Sequence, residues 1–246
     1  MPRRIAVSAT LRKVNRQRPP AVAHTEFLKH QDRLRGLPLQ DIFADIASRN
    51  LWSSSESLSG LGSTIEATKK LRANLPHLIA RYRITRLLDI PCGDFGWMCH
   101  TDLGACQYIG ADIVPELVER NRLLYQGRSE APLFLHLDIT KDDLPRVDLV
   151  MCRDCLVHLS FTNIFRAFSN LQRSGSQYAL MTTFLNHECN EDIADGDWRL
   201  LNLQRSPFSL PTAEELIVED CVEGNGAFDD KALGLWRIAD LPSGMG

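Results

Sequence analysis

The chain of 246 residues is 44% hydrophobic and 24% charged, which is enough to bury one sizeable core in a single domain. A formal net charge of -3 argues against a protein that coats nucleic acid or binds an anionic membrane, and no apolar run reaches the roughly 18 residues that span a bilayer. The seven cysteines are scattered and odd in number, which is typical of reduced thiols. We therefore expect a soluble, cytoplasmic protein that binds a small molecule.

Residues 1–24 are predicted to form a flexible basic arm, because solvated termini with like charges order poorly. The charged residues before Thr25 are all basic: Arg3, Arg4, Arg12, Lys13, Arg16 and Arg18. An arginine-rich leader without acids is also a feature of transit peptides. Import into an organelle therefore stays an alternative if the protein is eukaryotic.

Two helical segments are predicted before the sheet. Apolar residues recur at helical spacing over residues 25–48, which predicts one helical block. A loop rich in Ser and Gly follows at 51–64. Its last two residues, Ser63 and Thr64, are candidate N-caps of a second helix that continues to about Tyr82.

From residue 84 onward the sequence alternates between short apolar strands and helical segments. The predicted strands are Arg86–Asp89, Tyr108–Asp112, Leu133–Leu137, Asp148–Cys152 and Tyr178–Phe184. The predicted helices between them are Pro115–Tyr125 and Asn163–Arg173. This alternation predicts an α/β core at 84–246, with a parallel sheet, helices on both faces and ligands at the carboxyl ends of the strands. With a helical N-terminal cap at 25–83, the whole domain is predicted to cover residues 25–246.

The tail of the chain changes pattern. Apolar segments at Leu216–Val222 and Leu233–Ile238 flank a turn-rich stretch, Glu223-Gly224-Asn225-Gly226. Two strands joined through a turn predict an antiparallel pair at the end of the sheet.

The turn after the first strand is the strongest functional signal. It reads Asp89-Ile90-Pro91-Cys92-Gly93-Asp94-Phe95-Gly96. A nucleoside at a strand-to-helix turn needs backbone that approaches it closely, and Gly93 and Gly96 leave that room. The turn therefore predicts a nucleoside site.

Two further acids stand at the next two strand ends. Asp112 lies 23 positions after Asp89, where a carboxylate accepts hydrogen bonds from both ribose hydroxyls. Asp138 closes the third strand, where it is a candidate partner of the adenine amine. Each acid alone is equally well explained as a helix cap or a turn residue. Three acids at successive strand ends beside a glycine-bearing turn favour the nucleoside site.

These residues resemble motif I, the ribose acid and the adenine contact of class I S-adenosylmethionine-dependent methyltransferases, over about Ile84 to Phe184. The motif I segment is of the type DIPCGDFxWM, from Asp89 to Met98. The resemblance implies a Rossmann-like, seven-stranded, mostly parallel sheet with a reversed last strand, and S-adenosyl-L-methionine as cofactor. The cofactor-binding residues expected from it and from the loop before the sheet are Asp89, Pro91, Gly93, Asp94, Gly96, Trp97, Asp112, Ile113, Asp138, Ile139, Arg153, Gly60 and Arg72.

The motif also departs from the family pattern, because Pro91 and Phe95 stand where glycines are usual. Pro91 donates no backbone N–H, so Asp94 or Asp89 is an alternative partner for the amino group of the cofactor. The same turn matches two of three glycines of the nicotinamide fingerprint. Asp94 disfavours that alternative, because a carboxylate there opposes a pyrophosphate.

The segment after the fourth strand carries the candidate catalytic residues. His158 is a candidate general base, because a neutral imidazole accepts a proton from a hydroxyl near physiological pH. Asp154 is a candidate orienting residue, which also has an ion pair with Arg153 as its alternative explanation. Cys152, Cys155 and His158 have metal-like spacing, but no second Cys or His pair follows at finger spacing, so no metal is predicted.

The segment that leaves the fifth strand carries the candidate acceptor residues. His187 is a second candidate base. A long connection after a sheet strand is commonly a binding loop or a lid, and a packed surface arm is the open alternative. The predicted acceptor-binding residues are Thr183, Asn186, Trp198, Arg199, Asn202 and Phe208.

The sequence thus predicts methyl transfer from S-adenosyl-L-methionine to an oxygen or nitrogen of a small-molecule acceptor by in-line displacement, leaving S-adenosyl-L-homocysteine. A nicotinamide-dependent oxidoreductase and a non-catalytic cofactor-binding subunit remain as alternatives. A protein or RNA acceptor is disfavoured, since no broad basic surface is evident outside the arm.

Overall fold

The computed structural model describes residues 18–127 and 131–244. Most of the predicted basic arm, residues 1–17, lies outside the described residues. Its described end contacts the tail of the chain, because the Arg18 guanidinium donates to both carboxylate oxygens of Asp230 at 2.7 and 3.0 Å.

Three helices precede the sheet: α1 (Val22–Leu34), α2 (Leu39–Ser48) and α3 (Lys69–Tyr82). The single helical block predicted at 25–48 is wrong in one respect, since α1 and α2 are separate. Gly36 has a left-handed φ of 76° and Pro38 stands immediately before α2, so the helix ends and restarts there.

The predicted N-cap of α3 is also displaced. The Oγ1 of Thr64 accepts the backbone N–H of Ala67 at 3.2 Å, so Thr64 stabilises a turn rather than the helix itself. The α-helix begins one turn later, at Lys69. Ser63 lies in a short 3-10 helix, Leu61–Ser63, ahead of that turn.

Seven strands form one sheet in the order β3-β2-β1-β4-β5-β7-β6. The strands are β1 (Arg86–Asp89), β2 (Gln107–Asp112), β3 (Leu133–His136), β4 (Leu149–Cys152), β5 (Tyr178–Phe184), β6 (Glu215–Val218) and β7 (Lys231–Arg237). Strands β1 to β5 run parallel, and β7 pairs antiparallel with both β5 and β6. The predicted seven-stranded α/β sheet with a reversed last strand is confirmed.

Helices cover both faces of this sheet. Helices α4 (Pro115–Tyr125) and α5 (Phe161–Ser174) lie between strands, as predicted. Alternate strand residues enter two separate cores: Leu88 and Val150 pack with α5, whereas Leu87 and Leu149 pack with α3 and α4. All four strand residues are fully buried. The sheet is therefore a rigid support for whatever lies at its carboxyl edge.

Within the described residues, no helix is both long and apolar enough to cross a bilayer.

Candidate functional site

A first cavity lies at the carboxyl ends of β1, β2 and β4, beneath the N-terminal helices. It encloses about 1000 Å³ of space outside atoms, its open mouth included. The predicted cofactor and catalytic residues that line it are Asp89, Pro91, Gly93, Trp97, Asp112, Ile113, Asp138, Ile139, Arg153, Asp154 and His158. Most residues that the sequence assigned to a cofactor thus share one cavity.

The turn after β1 is held against the serine-rich loop. Gly93 has a φ of 54°, and a Cβ there would lie 2.0 Å from the Oγ of Ser59. The Asp94 carboxylate accepts the backbone N–H of Leu58 at 2.8 Å and that of Gly96 at 3.1 Å. Asp94 and Gly96 do not line the cavity. Because Gly93 has no Cβ, Ser59 of the serine-rich loop can pack against the turn. The hydrogen bond from Leu58 to Asp94 holds the loop to the turn.

Two buried acids lie on the floor of the first cavity without an ion-pair partner among the described residues. Asp89 accepts the hydroxyl of Tyr108 at 2.8 Å, and burial raises the pKa of Asp89 to about 7. Asp112 accepts the backbone N–H groups of Gly93 and Val114, each at 2.9 Å. Burial raises the pKa of Asp112 to about 6, although these two hydrogen bonds oppose the increase. Both acids favour a ligand that brings positive charge or hydrogen-bond donors.

The third acid, Asp138, has more local partners. One carboxylate oxygen accepts both the backbone N–H and the hydroxyl of Thr140, at 2.8 and 2.6 Å. The other lies 3.3 Å from the exposed ammonium of Lys141. Asp138 therefore stabilises its own turn, and only the oxygen beside Lys141 retains capacity to accept a hydrogen bond from a ligand.

The turn offers little to an anion. The N–H groups of Gly93 and Gly96 are already donated to Asp112 and Asp94. Only a 3-10 helix of three residues, Met98–His100, follows the turn. A pyrophosphate binds best at the start of a longer helix, and the described residues place none directly after this turn.

Four charged side chains lie beside the first cavity, and only that of Asp154 is partly exposed. Arg153 donates to Glu219 at 2.8 Å and lies 3.2 Å from Asp154. Lys231 donates to Asp154 at 2.6 Å and lies 3.3 Å from the second oxygen of Glu219, which accepts no hydrogen bond of good geometry. Burial would raise the pKa of Asp154, but Lys231 and Arg153 outweigh it and hold that pKa low. We call these four residues the charge cluster.

Asp154 has a backbone of unusual geometry for its residue type, with a φ of 49°. A non-glycine residue in the left-handed region costs of order 1–2 kcal/mol, and such residues concentrate at functional sites. The strain places the Asp154 side chain, 22% of which is exposed, beside both cations of the cluster.

His158 is buried in an aromatic setting. Its Nδ1 lies 2.8 Å from the backbone carbonyl of Asp197, so Nδ1 carries the proton and Nε2 has a free lone pair. Nε2 makes no hydrogen bond within the described part of the chain. The ring stacks on Trp52 at 4.8 Å and meets Phe43 edge-on. Burial lowers the pKa of His158 to about 4, so the imidazole is neutral at physiological pH.

A second cavity adjoins the first, and four residues line both: Trp52, Ser59, Asp154 and His158. The remaining side chains of the second cavity include Phe184, Trp198, Glu223, Phe228 and Lys231. Gly60, assigned to the cofactor from the sequence, lines this cavity instead of the first. The two cavities therefore meet at His158 and Trp52.

Of the six predicted acceptor residues, only Trp198 lines the first or the second cavity. The Arg199 guanidinium donates to the backbone carbonyls of Leu156 and Leu159, each at 2.8 Å. The Asn202 amide donates to the carbonyl of His187 at 2.8 Å.

The other three predicted acceptor residues line neither the first nor the second cavity. Thr183 is fully buried and accepts the N–H of Leu203. Phe208 packs in the core against Phe165, and Asn186 is exposed.

Two other predicted residues lie away from both cavities. His187 is half-buried, and burial lowers the pKa of its imidazole. Arg72 donates to the backbone carbonyl of Ile65 at 2.9 Å. Neither residue lines the first or the second cavity.

Several cavity residues escaped the sequence reasoning. Helix α2 contributes Phe43, and the serine-rich loop contributes Leu58 and Ser59. Lys231 was missed as well, although a lysine at the start of an otherwise apolar strand is a detectable signal.

Among residues 18–127 and 131–244, no three His, Cys, Asp or Glu side chains are grouped to hold a metal ion.

The sequence matches no family model and no curated protein. Two solved structures resemble the fold over most of the chain. The N-methyltransferase NodS from Bradyrhizobium japonicum, in complex with S-adenosyl-L-homocysteine, is 14% identical over 79% of this chain and 97% of that chain, with a TM-score of 0.55. The 1,6-didemethyltoxoflavin-N1-methyltransferase from Burkholderia thailandensis, with bound 1,6-didemethyltoxoflavin and S-adenosylhomocysteine, is 13% identical over 85% of this chain and 89% of that chain, with a TM-score of 0.53.

A third structure, a Pyrococcus horikoshii protein, is 21% identical over 50% of this chain. This chain spans 61% of that protein's length with a TM-score of 0.42, which is too low to bear on the fold. At these identities the likeness concerns the fold alone. The chain has the Rossmann-like fold of S-adenosylmethionine-dependent methyltransferases.

Proposed function

We propose that this protein is an S-adenosylmethionine-dependent methyltransferase that transfers a methyl group to an oxygen or nitrogen of a small molecule. The observation that carries the proposal is the floor of the first cavity. There Asp89 and Asp112 end two neighbouring strands, Asp138 lies just beyond a third, and the N–H groups of Gly93 and Gly96 in the turn are donated to carboxylates.

The residues of the first cavity fit this cofactor. S-adenosylmethionine has no phosphate, and it carries a cationic sulfonium and an ammonium group, which suit uncompensated buried acids. Leu137 and Ile139 flank Asp138, and Ile113 follows Asp112, so apolar side chains stand beside each acid for a flat base. When bound, the cofactor supplies an electrophilic methyl group.

Each acid has a proposed task. The Asp112 carboxylate accepts the ribose hydroxyls with the lone pairs left by Gly93 and Val114. Asp138 accepts from the adenine amine. The positive charge of Arg153 in the charge cluster acts on Asp89 and favours its ionised form. Its carboxylate takes the amino group of the methionine portion. Gly93 carries no Cβ and so lets Ser59 of the serine-rich loop pack against the turn beside the cavity.

His158 and Asp154 take the roles at the junction of the two cavities. The Nε2 lone pair of His158 accepts a hydrogen bond from the acceptor and orients its nucleophilic atom toward the methyl group. Asp154 fixes the position of Lys231 and Arg153 beside the junction. His187 has no part in this proposal, because it lines neither cavity.

The nicotinamide alternative has less support. The pyrophosphate of a nicotinamide dinucleotide would need the N–H groups of Gly93 and Gly96. These groups already donate to the carboxylates of Asp112 and Asp94, which would repel it. A non-catalytic cofactor-binding subunit would share the first cavity, but it has no need for the unpaired imidazole nitrogen of His158 between two cavities.

Calorimetric titration of the whole protein tests the proposal. S-adenosylmethionine and S-adenosylhomocysteine should each bind with a stoichiometry of one per chain. The two nicotinamide dinucleotides should give no heat of binding. Binding of a nicotinamide dinucleotide alone would overturn the assignment.

A further inference from the structure

The second cavity has walls made of aromatic rings. Phe184, Trp198 and Phe228 pack edge to face, with centroids 5.9 Å apart for the first pair and 5.4 Å for the second. Trp52, stacked on His158, lines the same cavity. Aromatic faces bind apolar bodies and also attract cations.

The charges at this cavity are unbalanced. In the charge cluster, Arg153 and Lys231 are matched by Asp154 and Glu219. Glu223 adds a third carboxylate, which forms no ion pair within 4 Å among the described residues and accepts only the Cys221 thiol at 3.7 Å. One negative charge is therefore available to a ligand.

The backbone of Gly62 brings these charges to one place. An ideal Cβ on Gly62 would lie 3.1 Å from Glu223 Oε1, 3.3 Å from Asp154 Oδ2 and 3.4 Å from Lys231 Nζ. All four residues line the second cavity. The Glu223 carboxylate thus lies next to the ion pair of Asp154 and Lys231. Because those two charges neutralise each other, Glu223 is the charge that can bind a ligand.

The cavity offers hydrogen-bond acceptors but no strong base. His158 presents the unpaired Nε2, and burial holds its pKa near 4. The Asp154 carboxylate is committed to Lys231 and Arg153. A hydroxyl acceptor needs a base of matched pKa, whereas a neutral amine already has a nucleophilic lone pair. The site therefore suits nitrogen better than oxygen.

We propose that the second cavity is the acceptor site and that it takes an apolar or aromatic small molecule bearing an amine, whose nitrogen is the methylated atom. This inference rests on the proposed function of the first cavity. Glu223 attracts the ammonium form, the aromatic walls enclose the body of the molecule, and His158 Nε2 accepts from the nitrogen.

The transfer step is balanced with the amine as nucleophile. The ammonium first releases one proton to water. The nitrogen lone pair then forms the new nitrogen–carbon bond as the sulfur–carbon bond breaks. The electron pair of the broken bond stays on sulfur, so the sulfonium becomes the neutral thioether of S-adenosylhomocysteine. The alkylated nitrogen carries the positive charge until it loses a proton to solvent.

The test is a binding comparison on the whole protein saturated with S-adenosylhomocysteine. The probes are phenethylamine, phenethyl alcohol and hydrocinnamate, which share a ring and differ in the polar group. We expect the amine to bind about tenfold more tightly than the other two. Glu223→Gln should abolish this preference and leave S-adenosylhomocysteine affinity unchanged. The matched control, Glu188→Gln, removes an exposed carboxylate that lines neither cavity and should change nothing.

Trp198→Ala serves as a second variant, since it should weaken the amine and the alcohol equally without affecting S-adenosylhomocysteine. Equal binding of the three probes, a preference for the alcohol or the carboxylate, no binding of the amine, or the same behaviour of Glu223→Gln and Glu188→Gln would overturn the inference. Failure of S-adenosylhomocysteine to bind in the first titration would instead overturn the proposed function.

Discussion

The two cavities handle buried negative charge in opposite ways. In the first, Asp89 and Asp112 are buried without a cation, and burial raises the pKa of each. Behind the second, Asp154 and Glu219 are matched by two buried cations. Charge without a partner costs stability in the ligand-free protein, whereas paired charge maintains the local structure. The unpaired acids of the first cavity are therefore suited to bind a ligand, whereas the charge cluster stabilises the side of the second cavity.

The largest expected effect tests the first half of this contrast. Asp89→Asn should raise the free energy of unfolding at about pH 8, because it removes a buried charge but keeps an acceptor for Tyr108. A pKa raised from its ordinary 3.8 to about 7 corresponds to at most about 4 kcal/mol.

The sign also fixes the pH dependence. The folded state binds the Asp89 proton more tightly than the unfolded state, so the cost grows as pH rises from about 4 to about 7 and is complete above that. The gain from Asp89→Asn should therefore vanish near pH 3.5 in urea titrations. Asp143→Asn, at an exposed position, is the control. A stability loss at pH 8 would contradict the account.

The second prediction has the opposite sign. Lys231→Met should lower the free energy of unfolding by about 3 kcal/mol, because Asp154 and Glu219 are left with only Arg153. Lys70→Met is the matched control, since the pair of Lys70 with Asp220 is more than half exposed on both sides. That control should change stability by less than about 1 kcal/mol. Equal effects of the two substitutions, measured by urea denaturation, would mean that the cluster does not support the fold.

Sequence reasoning located the first cavity far better than the second. Asp89 and Asp112 end their strands and Asp138 lies just beyond β3, so a local pattern is enough to bring them to one edge. The second cavity joins the serine-rich loop to Trp198 and Lys231, which lie far apart in the sequence. The periodicity of a short sequence segment does not predict contacts between residues that are so far apart in the chain.

The acceptor residues predicted in the irregular connection at 185–211 present a related difficulty. Its backbone lies outside helices and strands, so its polar groups need other partners. Arg199 donates to the carbonyls of Leu156 and Leu159, which precede this connection, and Asn202 donates to the carbonyl of His187 within it. Their assignment to the acceptor stays a prediction. A polar side chain in a long loop therefore indicates backbone support as readily as binding. The domain boundaries and the cytoplasmic location stay predictions.

A third prediction addresses the ligand that the first cavity receives. Asp112→Ala should weaken S-adenosylhomocysteine binding by about 100-fold, because the ribose hydroxyls lose a buried acceptor. Circular dichroism should show an intact fold. Asp143→Ala is the control for loss of a carboxylate. Unchanged affinity in Asp112→Ala, measured by calorimetry, would mean that Asp112 only caps the backbone of Gly93 and Val114.

The smallest predicted effect concerns the loop that covers the turn. Gly93→Ala should cost about 1–2 kcal/mol of stability, since its φ is 54° and its new Cβ would meet Ser59. Combining it with Ser59→Gly should recover part of the loss, which a double-mutant cycle measures. If the effects of the two substitutions on the free energy of unfolding were strictly additive, Ser59 would not be in contact with the Cβ introduced at position 93.

The central claim is that the first cavity holds the cofactor with its reactive end at the junction of the two cavities. A crystal structure of the protein with S-adenosylhomocysteine tests it most directly. The account predicts ribose hydroxyls within hydrogen-bonding distance of Asp112 and a sulfur atom beside His158 and Trp52. A ligand lying in the second cavity, or a ribose remote from Asp112, would contradict it.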